Sequence, residues 1–200
     1  MKHLILAIAF LCLLPTLAHA ATRDEQRQEI QKMQSHVLAR LYKAHPGAEQ
    51  VIGKAAGYAV FSSADLAVIF FSGSVGHGLA HNNLDGKETY MQMASAGVGL
   101  GVGVKDFRAV FVFDTPAAYH DFVTTGLDLS GNLDVAAKQG RQGGSISGAQ
   151  DVLPGVKVYQ LTNTGLMAQA MLKGTKYWRD GDLNDYDKPD AATTREQYNQ

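Results

Sequence analysis

Four glycines alternate with apolar residues in the segment SAGVGLGVGV. They are Gly97, Gly99, Gly101 and Gly103. Such a segment first suggests a phosphate-binding loop. The dinucleotide-binding fingerprint, however, needs a glycine where Val102 or Val104 stands. A P-loop is also absent from the sequence, because no Gly-Lys-Ser or Gly-Lys-Thr follows. In an extended strand all four glycines lie on one face. We therefore predict a strand whose bare face admits close packing within the protein or an apolar ligand chain.

Two histidines in the segment GHGLAH, His77 and His81, are candidates for a zinc site. Their spacing puts both on one face of a helix or strand, and Asp85 or Glu88 could add a third ligand. The segment is not helical in pattern and contains no His-Glu-x-x-His motif. We therefore predict exposed histidines at a strand end and no metal site. A hydrolase using these histidines or His120 is the weakest hypothesis, because no nucleophile–base pairing is visible.

The acidic segment DGDLNDYD, residues 180–187, places oxygen-bearing side chains at alternate positions, as a calcium loop does. The glycine and the glutamate that an EF-hand needs at its sixth and twelfth positions are absent. We predict an acidic, solvated turn. The segment GGSISG at 143–148 has Ile146 at its centre instead of a serine, so it is not a nucleophile elbow, and we predict a flexible loop.

Hydrophobic periodicity predicts the elements that carry these residues. A helix is expected from Thr22 to about Lys43, with a Thr22–Glu25 capping box, followed by a short helix over Ala48–Lys54. Strand-like segments follow, with a turn at NNLDG and a fully buried central strand at RAVFVFD. TPAAYHDFVTTG predicts a helix with Thr115 as its cap, Gly126 at its end, and a buried stripe. The members of that stripe are Tyr119, Phe122 and Val123.

These elements define an α+β fold. We predict an N-terminal amphipathic helix packed on a mostly antiparallel, glycine-rich sheet, sandwich-like or barrel-like, with one inserted helix. The predicted divisions are a signal peptide at 1–20, a helix and linker at 21–47, a main domain at 48–187 and a polar tail at 188–200.

The first twenty residues have the three-part layout of a secretory signal, with Lys2, an apolar run and an Ala18-His19-Ala20 cleavage site. Cys12 is preceded by Phe10 and Leu11, so lipid attachment there is not expected, and the chain after Ala20 has no cysteine. The formal net charge of the whole sequence is -1, which gives no support to nucleic-acid binding.

Five basic side chains lie on or near the polar face of the first helix: Arg23, Arg27, Lys32, Arg40 and Lys43. Such a helix could lie on an anionic bilayer with its apolar side down. Acidic residues near its start offset that charge, and an amphipathic helix in a globular domain usually docks on the sheet. We favour the interpretation that the apolar side of this helix docks on the sheet.

Several weak motifs occur in an order that resembles the SYLF-domain family. They are AAGYAVFSS, the glycine segment running into GVKDFRAVFVF, LDLSGNLDVAA, and VKVYQLTNTGLMAQAMLKG followed by DLNDYD. The closing positions of the family pattern fall on Tyr159, Gly165, Leu166, Asn184 and Tyr186. The resemblance covers about Ala48 to Asp187. The chain departs from the pattern where ETYMQM replaces a Trp-Ser-x-Pro stretch, and at Lys138 and Gln139 in place of Gly-Pro.

The resemblance implies phospholipid binding without catalysis and without a cofactor. We therefore expect an exported, periplasmic-type protein of the bacterial cell envelope whose partner is an anionic phospholipid or a membrane surface. Arg40, Lys43 and Lys54 are the expected headgroup contacts. The helix over residues 30–42 is expected to supply apolar contact, and the glycine face is a possible apolar contact. The alternative is an envelope module that is structural or binds a protein partner and has no lipid ligand.

Overall fold

The computed structural model describes residues 21–62, 75–95, 108–129, 148–161 and 175–186. The predicted signal peptide, the glycine segment at 97–103, most of the loop at 143–148 and the tail at 188–200 lie outside the described residues.

Three helices are present in the described ranges: α1 (Arg23–Ala44), α2 (Ala48–Lys54) and α3 (Pro116–Thr125). At the start of α1 the Thr22 hydroxyl accepts from the Glu25 amide at 3.2 Å, and the Thr22 amide donates to the Glu25 carboxylate at 2.8 Å. This reciprocal pair satisfies two backbone N–H groups that the helix itself cannot use. The Thr115 hydroxyl likewise accepts a backbone N–H at the start of α3, and Gly126, with φ +82°, ends that helix.

Within the same ranges, eight strands form one sheet in which every pairing is antiparallel. The spatial order is β5-β8-β3-β2-β1-β4-β7-β6. The bounds are β1 Gly57–Ser62, β2 Val75–Asn82, β3 Glu88–Ser95, β4 Arg108–Phe113, β5 Leu127–Asp128, β6 Gln150–Leu153, β7 Val156–Gln160 and β8 Thr175–Arg179. The predicted α+β class with a mostly antiparallel sheet is confirmed. The predicted central strand is also confirmed, because every residue of β4 is buried.

Helices cover both faces of the sheet. On the α1 face, Val60, Leu79 and Val110 pack against α1 and α2. On the opposite face, which we call the α3 face, the neighbouring residues Phe61 and Phe111 pack against α3. Side chains alternate between these faces along each strand, so two separate apolar cores share one sheet.

The sheet is curled around the α3 face. The Tyr177 ring on β8 lies 5.0 Å from the Phe111 ring on β4 and 4.7 Å from the Phe61 ring on β1. In a flat sheet, β8 and β4 would be about 19 Å apart, because four interstrand steps separate them. The curl brings these rings together, and α3 contributes Phe122 to the same aromatic cluster.

Gly78 on β2 is required by this cluster. A β-carbon at Gly78 would overlap the Phe61 ring and lie 2.6 Å from the Val60 carbonyl oxygen. We expect Gly78→Ala to lower the free energy of unfolding by about 2 kcal/mol, because the inserted methyl group overpacks a full core. The measurement is urea denaturation followed by circular dichroism.

Gly53 provides the matched control for this prediction. It lies inside α2, and a β-carbon there would meet nothing within 4 Å. Gly53→Ala should therefore stabilise the protein by up to about 1 kcal/mol. Equal effects of the two substitutions would contradict the packing role of Gly78.

Candidate functional site

The three predicted headgroup contacts lie on the surface of two helices. Arg40 and Lys43 are exposed on the second half of α1, and their three-residue spacing puts them on one side of that helix. Lys54 is exposed in the last turn of α2. No hydrogen bond or ion pair among the described residues links the three. Their role as headgroup contacts stays a prediction.

The two halves of α1 differ in whether their basic side chains have acidic partners. In the first half, Arg27 pairs with Asp24 and Lys32 pairs with Glu29, each at 2.7 Å. For Arg40 and Lys43 in the second half, the described part of the chain shows no acidic partner. The positive potential of α1 is therefore concentrated towards its C-terminal end.

The apolar side of α1 is turned towards the sheet. Ile30, Val37 and Leu41 are fully buried, and Met33 is 3% exposed. Burying four such side chains stabilises docking by roughly 6–12 kcal/mol, because each contributes about 1.5–3 kcal/mol. In this conformation, the polar side of α1 is the side that can contact a membrane. None of the helices in the described ranges has a stretch long and apolar enough to cross a bilayer.

The two candidate histidines do not form a metal site. Both lie on the α1 face of β2, but four residues of strand separate them by about 13 Å, too far to ligate one ion. His81 is 3.9 Å from Glu88 and stacks on Tyr58. No group of three or more His, Cys, Asp or Glu side chains with metal-binding geometry occurs in the described ranges. The predicted exposure was wrong for His77, which is only 6% exposed.

His77 belongs to a buried polar cluster on the α1 face. The strand register places it between Ser62 on β1 and Gln92 on β3. Gln92 donates to the Asp180 carboxylate at 2.6 Å, and Arg108 is buried nearby, opposite Ser62 on β4. Burial lowers the pKa of His77 to about 4, while the negative charge of Asp180 acts in the opposite direction. The imidazole is therefore neutral at pH 7.

Asp180 organises the acidic turn that resembled a calcium loop. One carboxylate oxygen accepts from the backbone N–H groups of Asp182 and Leu183 at 2.9 and 2.8 Å, and the other accepts from Gln92. Both oxygens are thus used inside the protein, and Asp180 is only 3% exposed. The prediction of a solvated turn was wrong at Asp180 and Leu183, which are buried, and right at the exposed positions 181, 182, 185 and 186.

The same turn connects the sheet to α1. The Asn184 side chain exchanges hydrogen bonds with the backbone of Tyr90, accepting at 3.0 Å and donating at 2.7 Å. Arg27 donates to the Leu183 carbonyl at 2.9 Å, and its guanidinium lies 4.2 Å from the centre of the Tyr186 ring. Two positions of the family pattern, Asn184 and Tyr186, therefore have a structural role in this chain. The sequence placed Arg27 only on the polar face of the first helix and did not single out Gln92, because Leu183 and Asp180 are distant from them along the chain.

Ser62, His77 and Asp180 have the residue types of a hydrolytic triad, which the sequence did not reveal. All three are nearly inaccessible, at 0%, 6% and 3% exposure, and α1 covers their side of the sheet. Both oxygens of Asp180 are occupied by Gln92 and the turn. Within the described residues, these three side chains are therefore shielded from solvent.

The described residues form a curled antiparallel sheet with helices on both faces, a polar cluster buried on the α1 face, and exposed cations on α1 and α2. Residues 94–190 match the Ysc84 family model, described as "Las17-binding protein actin regulator". The chain is also 34% identical over 164 residues to beta cell expansion factor A of Aeromonas veronii. That match covers 82% of this chain and 61% of the length of the relative. The protein belongs to the SYLF-domain family, as its motifs predicted.

Proposed function

We propose that this protein is a non-enzymatic phospholipid-binding protein of the bacterial cell envelope, exported after cleavage at Ala20. The observation that carries the proposal is the pair of exposed cations without acidic partners in the described ranges, Arg40 and Lys43, in a member of a binding-domain family. Lys54 at the end of α2 adds a third charge. The proposed ligand is the anionic headgroup layer of a membrane.

The proposed attachment is electrostatic and reversible. Each cation close to an anionic surface contributes about 1 kcal/mol, so three contribute about 3 kcal/mol. The apolar side of α1 stays on the sheet in this mode, because its removal costs more than the three charges supply. Binding is therefore expected to weaken steeply as salt screens the charges.

Replacing Arg40, Lys43 and Lys54 together by glutamine tests the proposal. We expect the affinity for vesicles containing phosphatidylglycerol to fall about 100-fold at low salt, since about 3 kcal/mol of attraction is removed. Co-sedimentation with these vesicles, and with neutral phosphatidylcholine vesicles, measures the change. Circular dichroism should be unaltered, because all three side chains are exposed.

A control with the same change in net charge replaces Lys157, Lys176 and Arg179 by glutamine. Lys157 pairs with Asp114, Lys176 lies 4.0 Å from Asp128, and all three belong to β7 and β8. This variant should keep most of the binding. An equal loss in both variants would mean that only total charge matters, and it would refute the assignment to α1 and α2.

The alternative is an envelope module that binds a protein partner. The family description names a binding partner for related proteins, which favours a general interaction role. A salt-resistant complex with an envelope protein, recovered without lipid and unaffected by the triple glutamine substitution, would support this alternative.

A further inference from the structure

Leu84 is an apolar side chain held out into solvent at the tip of the β2–β3 hairpin. Its exposure is 69%, and the other large exposed hydrophobic side chain in the described ranges is Tyr186, at 67%. Tyr186 has a partner within the protein, because the Arg27 guanidinium lies over its ring. Single exposed leucines are common on protein surfaces, so exposure alone does not mark a site.

Hydrogen bonds hold the backbone of the hairpin tip that carries Leu84. The Leu84 amide donates to the Asn82 side chain at 2.9 Å, and the Lys87 amide donates to the Asp85 carboxylate at 2.9 Å. The Gly86 amide donates to the Asn82 carbonyl at 2.9 Å, and Gly86 has φ +73°. The turn thus fixes the backbone on both sides of Leu84. Little conformational entropy of the backbone is therefore lost when the side chain enters an apolar environment.

The tip is also fixed to the end of α2. The Asn83 side chain donates to the carbonyl groups of Ile52 and Ala55 at 2.7 and 3.0 Å, and its amide donates to the Ala56 carbonyl at 3.0 Å. These carbonyls flank Lys54, so the cation at the end of α2 is held beside the tip.

The charges around Leu84 favour an anionic partner. Lys87 and Asp85 are exposed in the same turn, where one Asp85 carboxylate oxygen accepts from the Lys87 amide, and Lys54 is exposed at the end of α2 that Asn83 contacts. The next acid, Glu88 at the start of β3, accepts from Gln31 and lies 3.9 Å from His81. β-Carbons at Gly53 and Gly86 would meet nothing within 4 Å, so the space beside these two residues is open. An exposed apolar side chain with Lys87 in the same turn and Lys54 on the neighbouring helix suits the boundary between headgroups and acyl chains, where lysines remain at the phosphates while an apolar side chain enters.

We infer that the hairpin tip is a membrane-insertion point: Leu84 enters the outer edge of the acyl layer of an anionic bilayer, while Lys54 and Lys87 contact the phosphates. This inference rests on the proposed lipid-binding function and adds to it a salt-resistant apolar contact. It also orients the protein, with the hairpin and the end of α2 towards the membrane.

Two variants test the insertion. Leu84→Ser should weaken binding to phosphatidylglycerol-containing vesicles about tenfold at high salt, where the apolar contact dominates. Leu84→Trp should show blue-shifted fluorescence on vesicle binding, and quenching by lipids brominated near the top of the acyl chain. The wild-type protein, with Trp178 as its single tryptophan, gives the background. Tyr186→Ser is the matched control, because it removes an equally exposed side chain elsewhere, and it should bind as the wild type does.

The outcomes separate this inference from the proposed function. If the wild type sediments with anionic vesicles but Leu84→Ser binds equally well and the tryptophan at position 84 is not quenched, insertion is refuted and surface binding stands. If the wild type binds no vesicles, both are refuted. Loss of high-salt binding in Leu84→Ser alone, together with quenching at position 84, supports the inference.

Discussion

Asp180→Ala is expected to lower the free energy of unfolding by about 3–5 kcal/mol. The change removes three hydrogen bonds to a buried carboxylate, from Gln92, Asp182 and Leu183, and leaves the buried Leu183 amide and two part-buried donors without this acceptor. It also frees the turn that holds Arg27 of α1. Urea denaturation, followed through Trp178 on the adjacent strand β8, measures the loss.

Two further substitutions serve as comparisons for Asp180→Ala. Asp180→Asn keeps an acceptor for the turn, and the Gln92 amide can rotate to offer its oxygen to the new donor, so the loss should be about 1–2 kcal/mol. Asp121→Ala removes the carboxylate of an exposed residue on α3 and should change stability by less than about 0.5 kcal/mol. If Asp180→Ala behaved like Asp121→Ala, the turn would not depend on Asp180.

Acidification is expected to destabilise the protein through His77 by about 3 kcal/mol between pH 6.5 and pH 4. The unfolded chain binds a proton at His77 near the ordinary histidine pKa of 6.5, whereas burial lowers the pKa in the folded state to about 4. Within this range the unfolded state binds more protons, so stability falls as the pH falls. The contribution is fully present above pH 6.5. The size follows from about 1.4 kcal/mol for each unit of pKa difference.

Urea denaturation of the wild type and of His77→Gln at several pH values isolates this effect. Glutamine does not titrate, so the difference in unfolding free energy between the two proteins should change by about 3 kcal/mol between pH 7 and pH 4. The negative charge of Asp180 raises the pKa of His77 and opposes the effect of burial. Arg108 is the buried cation of the same cluster. Parallel pH profiles for the two proteins would show that the cluster does not hold His77 neutral.

The sequence alone determined the local elements and the family. The capping box at Thr22, the helix from Thr115 to Gly126 and the buried strand β4 follow from short-range rules of capping, propensity and hydrophobic run length, and the structure contains all three. The NNLDG turn is equally local, because Asn82, Asp85 and Gly86 supply its bonds and its positive φ. Such features depend on neighbours a few residues away, so the sequence is sufficient to find them.

The tertiary structure decided which polar residues lie inside. His77 and Asp180 are 103 positions apart, and no pattern in either segment indicates that the sheet and α1 bury them around Gln92. The same holds for the contacts of Arg27 with Leu183 and Tyr186, which lie far from it along the chain. Burial and electrostatic environment depend on the order of strands in the sheet, and many orders are compatible with the same local preferences. The curl that joins Tyr177 to Phe111, and the projection of Leu84 beside Lys54, arise from that order and not from the sequence nearby.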